Sequence, residues 1–289
     1  MAAKANLTKV ANINATAREI DFVSRFGSNW ESLREVLGIM RPIRKAPGTQ
    51  LKAYNASVTL QSGAVGEGEE IPYSLASVTP VTTATITLEK YAKAVSIEAV
   101  DQYGAALAVQ KTDEAFLNEL QDEVLSKGIA FLQTGSLTDT ASTFQAGVAK
   151  AIGKVRNFWK GIHKDITRVA VFVNILDAYD YLGAAQLSVQ SSFGIDYVEN
   201  FMGARLILSA EVPSGKIIAT PVDNIVLYYV DPSDSDFRQL GLDYRVAGDT
   251  NLIGFHVQGN YSTAVGETYA LMGMALWAEY LNGIAVITV

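Results

Sequence analysis

The sequence contains no cysteine and only two histidines among its 289 residues. The absence of cysteine excludes disulfide bridges, thiolate nucleophiles and zinc–cysteine sites, and fits a cytosolic origin. His163 and His256 are far apart in the chain, and no H-E-x-x-H motif is present. We expect His163 at a helix end, where a cation is favoured, and His256 on the polar face of a strand. The sequence therefore predicts no metal site, no cofactor and no catalytic residue, and we expect the protein not to be an enzyme.

Charge is also sparse. Charged residues make up 18% of the chain, apolar residues make up 49%, and the formal net charge is −7. A negative balance argues against a protein that coats nucleic acid, because neutralising phosphates requires an excess of Lys and Arg. Subunit interfaces deplete charge at their centres, so the composition favours an assembly. The large core of a single-domain enzyme would give the same composition.

Membrane and export signals are weak. The first residues contain no apolar stretch of signal-peptide length. Residues 269–289 are long enough to cross a bilayer, but Glu279 and Asn282 fall near their centre. One acid at that depth costs roughly 2.5–3.5 kcal/mol on insertion scales. We therefore expect a buried strand pair or helix–strand pair there, and no membrane association.

Two polar segments invite comparison with ligand-binding loops. In "GAVGEGEEIPYS" (63–74) the third glycine of a dinucleotide-binding loop is missing, and three glutamates would repel a phosphate. "DPSDSD" (231–236) begins with the spacing of a calcium loop, but the expected glycine and distal glutamate are absent. A turn with local Asp hydrogen bonds is the better prediction for the second segment.

Helical patterns recur along the chain. Apolar residues with a helical period follow Arg18, and a break at residues 27–29 predicts two short helices before Gly38. Residues 112–135 predict a long helix that Thr112 caps and Gly135 closes. Residues 141–160 predict a second helix with an apolar arc opposite a basic one, which contains Lys150 and Lys154.

Strand patterns surround a long connection. Alternating apolar and polar residues over 54–60 and again over 83–88 predict two arms of an antiparallel hairpin. The connection over 61–80 is longer than the ~12–15 residues usual for a structureless loop, which points to a functional or disordered segment. Further strands are predicted at 168–174, after residue 197 and at 251–263. Because strands and helices alternate without a regular period, the fold class is α+β.

The order of these elements resembles that of the major capsid proteins of tailed bacteriophages, which share the Hong Kong 97 fold. An arm precedes a hairpin whose acidic tip runs into "EEIPYS", and "ITLEKYAKAVSIEAVDQY" leads into the helix that corresponds to the spine helix of that family. "RVAVFVNILDAYDYLG" resembles a strand–helix unit of the family, and "FMGARLILSAEVPSGKIIAT" its strand–turn–strand.

This resemblance implies an α+β, Hong Kong 97-like fold in four parts. They are an N-terminal arm and short helix (1–48), an extended hairpin loop (49–90), a peripheral domain with the spine helix (91–140 and 252–289) and an axial domain (141–251). It also implies pentamers and hexamers that form an icosahedral shell around double-stranded DNA without sequence specificity. A portal protein would be a partner, and the protein would be found in the virion after assembly in the host bacterial cytoplasm. Because the chain begins almost at the arm, we expect a separate scaffolding protein.

The hairpin is too long to fold back onto a compact core, so we expect it to contact another subunit. One hypothesis pairs acids at its tip with basic residues of a neighbour. The candidate interface residues are Glu67, Glu69, Glu70, Pro72, Lys150 and Lys154. Two alternatives stay open: the shell protein of an encapsulin nanocompartment, which has the same fold, and an α+β hydrolase without Cys or His in its site.

Overall fold

The computed structural model of the chain describes residues 42–183, 189–192, 195–246 and 251–289. The arm and short helices predicted before Gly38 lie outside this part. The described helices are α1 (Ile97–Ala105), a π-helical segment (Ala106–Lys111), α2 (Thr112–Leu132), α3 (Phe144–Gly161), α4 (Ile175–Leu182) and α5 (Ser235–Gln239). The described strands are β1 (Ile43–Arg44), β2 (Gln50–Thr59), β3 (Leu75–Thr85), β4 (Glu89–Ser96), β5 (Leu137–Thr140), β6 (Val169–Asn174), β7 (Gln190–Ser192), β8 (Ile195–Phe201), β9 (Ala204–Ser209), β10 (Lys216–Pro221), β11 (Ile225–Tyr229), β12 (Ile253–Asn260), β13 (Val265–Met272), β14 (Met274–Ala278) and β15 (Ala285–Thr288).

A mixed seven-stranded sheet in the order β5-β15-β10-β6-β9-β8-β7 forms the centre of the fold. Strand β6 pairs parallel with β9 and antiparallel with β10, and all six of its residues are buried. Buried residues of α3 and α4 pack on one face of the sheet, and buried residues of α2 and β11–β13 pack on the other. A strand covered on both faces is expected to be apolar throughout, which explains the sequence VAVFVN.

The predicted spine helix is present as α2, a helix of 21 residues. Leu120 and Val124 are buried, as the apolar period predicts. The prediction that Thr112 caps this helix was wrong. The backbone is already helical at Lys111, and the Thr112 hydroxyl donates to the carbonyls of Ala108 and Val109 in the preceding π-helical segment.

The second predicted helix is α3, and it begins slightly later than expected. The Thr143 hydroxyl accepts a hydrogen bond from the Ala146 amide, so Thr143 is the N-cap. Val148, Val155 and Trp159 are buried against the seven-stranded sheet, as the apolar arc predicts.

Two three-stranded sheets complete this part of the chain, in the orders β12-β13-β4 and β1-β11-β14. Residues 269–289 supply the second half of β13 together with β14 and β15, which confirms the buried-strand interpretation of that apolar segment. Among the described residues, no helix is long and apolar enough to span a membrane.

The four-part division of the chain stays a prediction. The seven-stranded sheet draws β5 from range 91–140, β15 from range 252–289 and its other five strands from range 141–251. The sequence ranges therefore meet within one sheet.

Candidate functional site: the projecting hairpin and its surroundings

Strands β2 and β3 form a two-stranded ribbon that pairs with no other described strand. The ladder runs from Gln50 opposite Thr85 to Thr59 opposite Leu75. At about 3.3 Å per residue, the ten residues of β2 span roughly 33 Å. The connection covers residues 60–74 and is shorter than the predicted 61–80, because the ladder continues through Pro80. The register shifts between Ala53 and Tyr54, where Pro80 lies opposite, and a bulge tolerates the missing proline N–H.

The base of the ribbon is anchored in a small apolar cluster. Leu51 and Ile86, one on each side of the ribbon, are buried together with Val230 and Trp277. The Trp277 ring stacks on Phe131 of α2 with ring centroids 4.3 Å apart. The orientation of the ribbon is therefore coupled to the spine helix through packed side chains.

Backbone hydrogen bonds close the same base. The Gly48 amide donates to the Ile86 carbonyl (3.3 Å), and the Ile86 amide donates to the Thr49 carbonyl (3.1 Å). Gly48 has φ of 74°, a conformation that glycine adopts without the penalty of a side chain. The ribbon thus leaves the core through a tight, hydrogen-bonded turn.

The distal half of the ribbon is exposed and apolar. Its large exposed side chains are Val58, Leu60, Ile71, Tyr73, Leu75 and Val78, and Tyr73 reaches 91% exposure. The glutamates at positions 67, 69 and 70 are the only charged residues from 53 to 88. An exposed apolar surface of this kind marks an interaction site, and a ribbon whose strands carry no charge beyond Lys52 offers open edges for pairing.

The loop at the tip has internal order. The Gly66 amide donates to the Glu69 carboxylate (2.9 Å), the Glu69 amide donates to the Gly66 carbonyl (3.1 Å), and Gly68 has φ of 85°. Glu69 therefore helps to shape the turn, while Glu67 and Glu70 are exposed without a hydrogen bond of their own among the described residues. Pro72 lies in the connection, before the ladder resumes at Leu75.

The two candidate lysines have partners within their own chain. Strand β5 is an edge of the seven-stranded sheet. The Lys154 ammonium donates to the Thr138 carbonyl (3.0 Å), and the Lys150 ammonium donates to the Thr140 carbonyl (2.7 Å). Both lysines also pair with Asp139, at 3.8 Å for Lys150 and 3.1 Å for Lys154. A hydrogen bond from the Thr140 amide and one from Lys154 hold the pKa of Asp139 below its usual range.

This arrangement protects the sheet edge, because lysines that occupy outward-facing carbonyls prevent another strand from pairing there. Both lysines remain partly exposed. No ion pair joins them to the loop glutamates within the described chain, so their contact with a neighbour's acids stays a prediction.

The aspartates of 231–236 form a polar turn and bind Arg44 near the N-terminal end of the described chain. Asp231 accepts hydrogen bonds from the Ser233 amide (2.8 Å) and hydroxyl (2.6 Å) and from Asn251 (3.0 Å). The Arg44 guanidinium pairs with Asp231 at 3.6 Å and with Asp234 at 2.9 Å. Burial raises the pKa of Asp231, but these hydrogen bonds and Arg44 outweigh it and the net pKa lies below the usual value. The turn with local Asp hydrogen bonds is confirmed, and it fastens β1 beside β11.

The histidines lie where the sequence places them. His163 follows the C-terminal end of α3 with φ of 56°, and His256 lies on β12 opposite Tyr269. Within the described ranges, no group of three or more His, Asp or Glu side chains is arranged to hold a metal ion.

Sequence reasoning missed one exposed apolar surface, on α1 and the π-helical segment. Ile97, Tyr103 and Leu107 are each at least 60% exposed there. The run of small apolar residues between them was the available signal, but it is equally typical of a buried helix.

Compared by sequence, the chain matches no protein-family model and no curated protein. Compared by structure, it is similar to the cyanophage A-1(L) capsid asymmetric unit, with a TM-score of 0.54, 12% identity, and coverage of 88% of this chain and 91% of that one. The mature capsid of bacteriophage PhiM1 gives 0.52 and 9% identity, with 86% and 85% coverage. A virus-like particle from Pyrococcus furiosus gives 0.50 and 12% identity, with 92% and 97% coverage.

These matches extend over nearly the whole of each chain, and their α+β architecture is the one described above. The similarity at such low identity concerns the fold. The chain has the Hong Kong 97-like capsid fold.

Proposed function

We propose that this chain is the major subunit of an icosahedral capsid, assembled through pentamers and hexamers, that encloses the double-stranded DNA of a tailed bacteriophage. The observation that carries the proposal is the exposed apolar ribbon of β2 and β3. Its base is packed into the core, while the large apolar side chains of its distal half are exposed in the described part of the chain. In a monomer the apolar side chains of this ribbon stay in water and contribute no stability. In an assembly the ribbon can lie across a neighbouring subunit and bury them.

The fold supports the same proposal, since the similar structures named above include two phage capsids and a virus-like particle. The net charge of −7 suits a container whose DNA must move, because a basic lining would bind phosphates. The proposed partners are further copies of the chain, a portal protein, a separate scaffolding protein and DNA bound without sequence specificity. The proposed location is the virion, after assembly in the host cytoplasm.

Electron microscopy of the purified protein tests the proposal. We expect closed shells or ring-shaped capsomers built from one chain. A monodisperse monomer at all concentrations and salt conditions would refute it.

An encapsulin-type compartment is the second candidate, because the match with a virus-like particle, at 92% and 97% coverage, is with a shell whose description names no phage. Particle contents distinguish the two. Shells from infected cells that contain DNA and carry one portal vertex support the phage capsid, whereas small portal-free shells filled with protein support the compartment.

The tip contact can be tested by charge reversal. We propose that Glu67, Glu69 and Glu70 meet Lys150 and Lys154 of a neighbour. Reversing either set should impair assembly, and reversing both should restore it. All variants should also carry Asp139→Asn. Without this change, acidic residues at positions 150 and 154 would be repelled by Asp139 of their own chain. If the combined variant assembles no better than the single sets, these residues are not partners.

A further inference from the structure

Helix α1 (Ile97–Ala105) buries none of its residues. A helix of nine residues is too short to be stable in water on its own, and helices of this length in proteins depend on packing of an apolar face. The described chain covers Ala99 and Val100 of α1 only in part and leaves Ile97 and Tyr103 exposed. Among the described residues the helix therefore has an apolar surface that a further partner can cover.

The surface around α1 has the shape and chemistry of a contact site. Tyr103 and Leu107 are each 61% exposed and line one side of an open cleft of about 670 Å³. A second cleft of about 410 Å³ lies on the other side of the helix, beside the fully exposed Tyr261. Clustered exposed apolar side chains mark an interface, in contrast to single ones. We call Ala99, Tyr103, Leu107 and Ala108, which line the larger cleft, the α1 face.

The backbone between α1 and the π-helical segment has an irregular conformation that no contact within the described chain explains. Gly104 has φ of 79° and ψ of 154°, which interrupts the helix before the π-helical segment begins. Apart from its own stretch of chain, no atom of the described residues lies within 4 Å of the position that a Cβ at Gly104 would occupy. Irregular helical geometry of this kind concentrates at functional sites and persists where surrounding structure holds it. Here that surrounding structure is missing from the described part of the subunit.

The distribution of charge identifies the cover as a second copy. The charged residues of α1 are Glu98 and Asp101, and the only one of the π-helical segment is Lys111. Lys111 pairs with Glu114, but both are highly exposed, so that pair contributes little. Two such elements packed antiparallel place the acids of each beside the base of the other. Tyr103 and Leu107 flank the Gly104–Ala105 step, so the same arrangement places each tyrosine against the partner's leucine.

We propose that the α1 face is a two-fold contact between two copies of this chain, packed antiparallel about an axis near Gly104. Such a contact is isologous, since one surface meets itself. The inference rests on the proposed function, because both make the chain a self-associating subunit. The contact is separate from the ribbon, which meets a different surface and can generate rings.

Disulfide trapping tests the proposed pairing of Tyr103 with Leu107 of a second copy. Because the chain has no native cysteine, every disulfide formed involves an introduced residue. Tyr103→Cys and Leu107→Cys chains are mixed as dissociated subunits, assembled and oxidised, and the linked peptides are identified by mass spectrometry. We expect several-fold more dimer from the mixture than from either variant alone, joined 103 to 107. Leu240→Cys, at an exposed apolar position elsewhere, is the control and should give no such increase. Equal dimer from each variant alone, a link from position 103 to residues 60–75, or no link at all would overturn the proposal.

Charge reversal gives an independent readout. Converting Glu98 and Asp101 to Lys, or Lys111 to Glu, should raise the dissociation constant of the contact about two- to tenfold. All three changes in one chain should restore it, because each chain of an isologous pair supplies both halves. Absence of rescue would contradict a self-complementary contact.

The two proposals fail in different ways. Wild-type shells without the 103–107 link would overturn this contact and leave the shell function standing. A 103–107 dimer from a protein that never forms shells would overturn the shell function and leave the α1 contact standing.

Discussion

Ile86 and Tyr73 belong to the same ribbon, yet substitutions at the two positions should affect different properties. Ile86 is 2% exposed at the base, packed with Leu51, Val230 and Trp277. Tyr73 is 91% exposed near the tip. Ile86→Ala removes buried methyl groups and leaves a cavity, which costs roughly 2–5 kcal/mol of unfolding free energy. Because the base cluster is small and near the edge of the core, we expect about 2–3 kcal/mol, at the lower end of that range.

Because Tyr73 is 91% exposed, Tyr73→Ala removes little packing within the described part of the subunit. We expect its unfolding free energy to stay within about 0.5 kcal/mol of wild type. If the tip is buried in the assembly, loss of an aromatic side chain should cost about 1–2 kcal/mol per contact. That corresponds to a roughly 5- to 30-fold rise in the concentration needed for assembly.

Two measurements on each variant check this pair. Urea unfolding of dissociated subunits, followed by tryptophan fluorescence, gives stability, and sedimentation as a function of concentration gives assembly. We expect Ile86→Ala to lower the stability of the subunit and Tyr73→Ala to lower assembly alone. A destabilised Tyr73→Ala subunit would show that the tip packs on its own chain. Unchanged assembly of Tyr73→Ala would show that the tip is not a contact, and would remove the observation on which the proposed function rests.

Other substitutions test the packing, the electrostatics and the sheet edge. Gly128→Ala should lower stability by about 1–2 kcal/mol because its Cβ would lie 2.5 Å from a side-chain carbon of β14, whereas Gly153→Ala, with open space around it, should raise stability by up to about 1 kcal/mol; thermal denaturation of both checks this. Hydrogen bonds from neighbouring side chains lower the pKa of Glu267 from 4.5 to about 2, so its stabilising contribution is complete above pH 4.5 and lost as pH falls to about 2. Glu267→Gln should flatten the stability–pH curve in that window alone, and an unchanged curve would contradict the assignment. Replacing Lys150 and Lys154 by Met uncovers the carbonyls of β5 and should increase aggregation measured by light scattering, while equal solubility would show that the lysines do not guard the edge.

Local patterns were sufficient to predict the elements whose burial follows from their own sequence. The apolar period of α2 predicted the burial of Leu120 and Val124, and the continuous run VAVFVN predicted a strand, all six residues of which are buried. In both cases the packing partner is extensive and apolar, so the pattern alone determines which side is buried. The hairpin was predicted for the same reason, since alternation along each arm is a local property.

The errors arose where a residue's role depends on something distant. Pro80 was interpreted as the end of the connection, but a bulge opposite Ala53 and Tyr54 lets the ladder pass through it. Thr112 has the chemistry of a cap, and only the helical residues before it make that role unnecessary. The parallel pairing of β5 with β15 joins residues 137–140 to residues 285–288, and no local signal specifies a pairing at that separation.

For the candidate interface, the sequence predicted the exposed tip and missed what the lysines do. Lys150 and Lys154 were interpreted from their helix face, and their contacts with β5 depend on how α3 lies beside the sheet edge. The exposure of Tyr103 was hidden for a related reason, because a short apolar helix gives the same pattern whether it is buried in its own core or against another subunit.

If the chain is the shell subunit proposed above, the near absence of charge on the ribbon also matters before assembly. A subunit without its neighbours presents a long β-ribbon with two open edges, on which Lys52 near the base and the three glutamates at the tip are the only charges. Segments of this kind are the ones through which proteins aggregate when they wait too long for a partner, and flanking charges act as gatekeepers. The three glutamates thus set how long a free subunit can remain in solution. The rate of productive assembly must exceed the rate at which uncovered ribbons find one another in the wrong register.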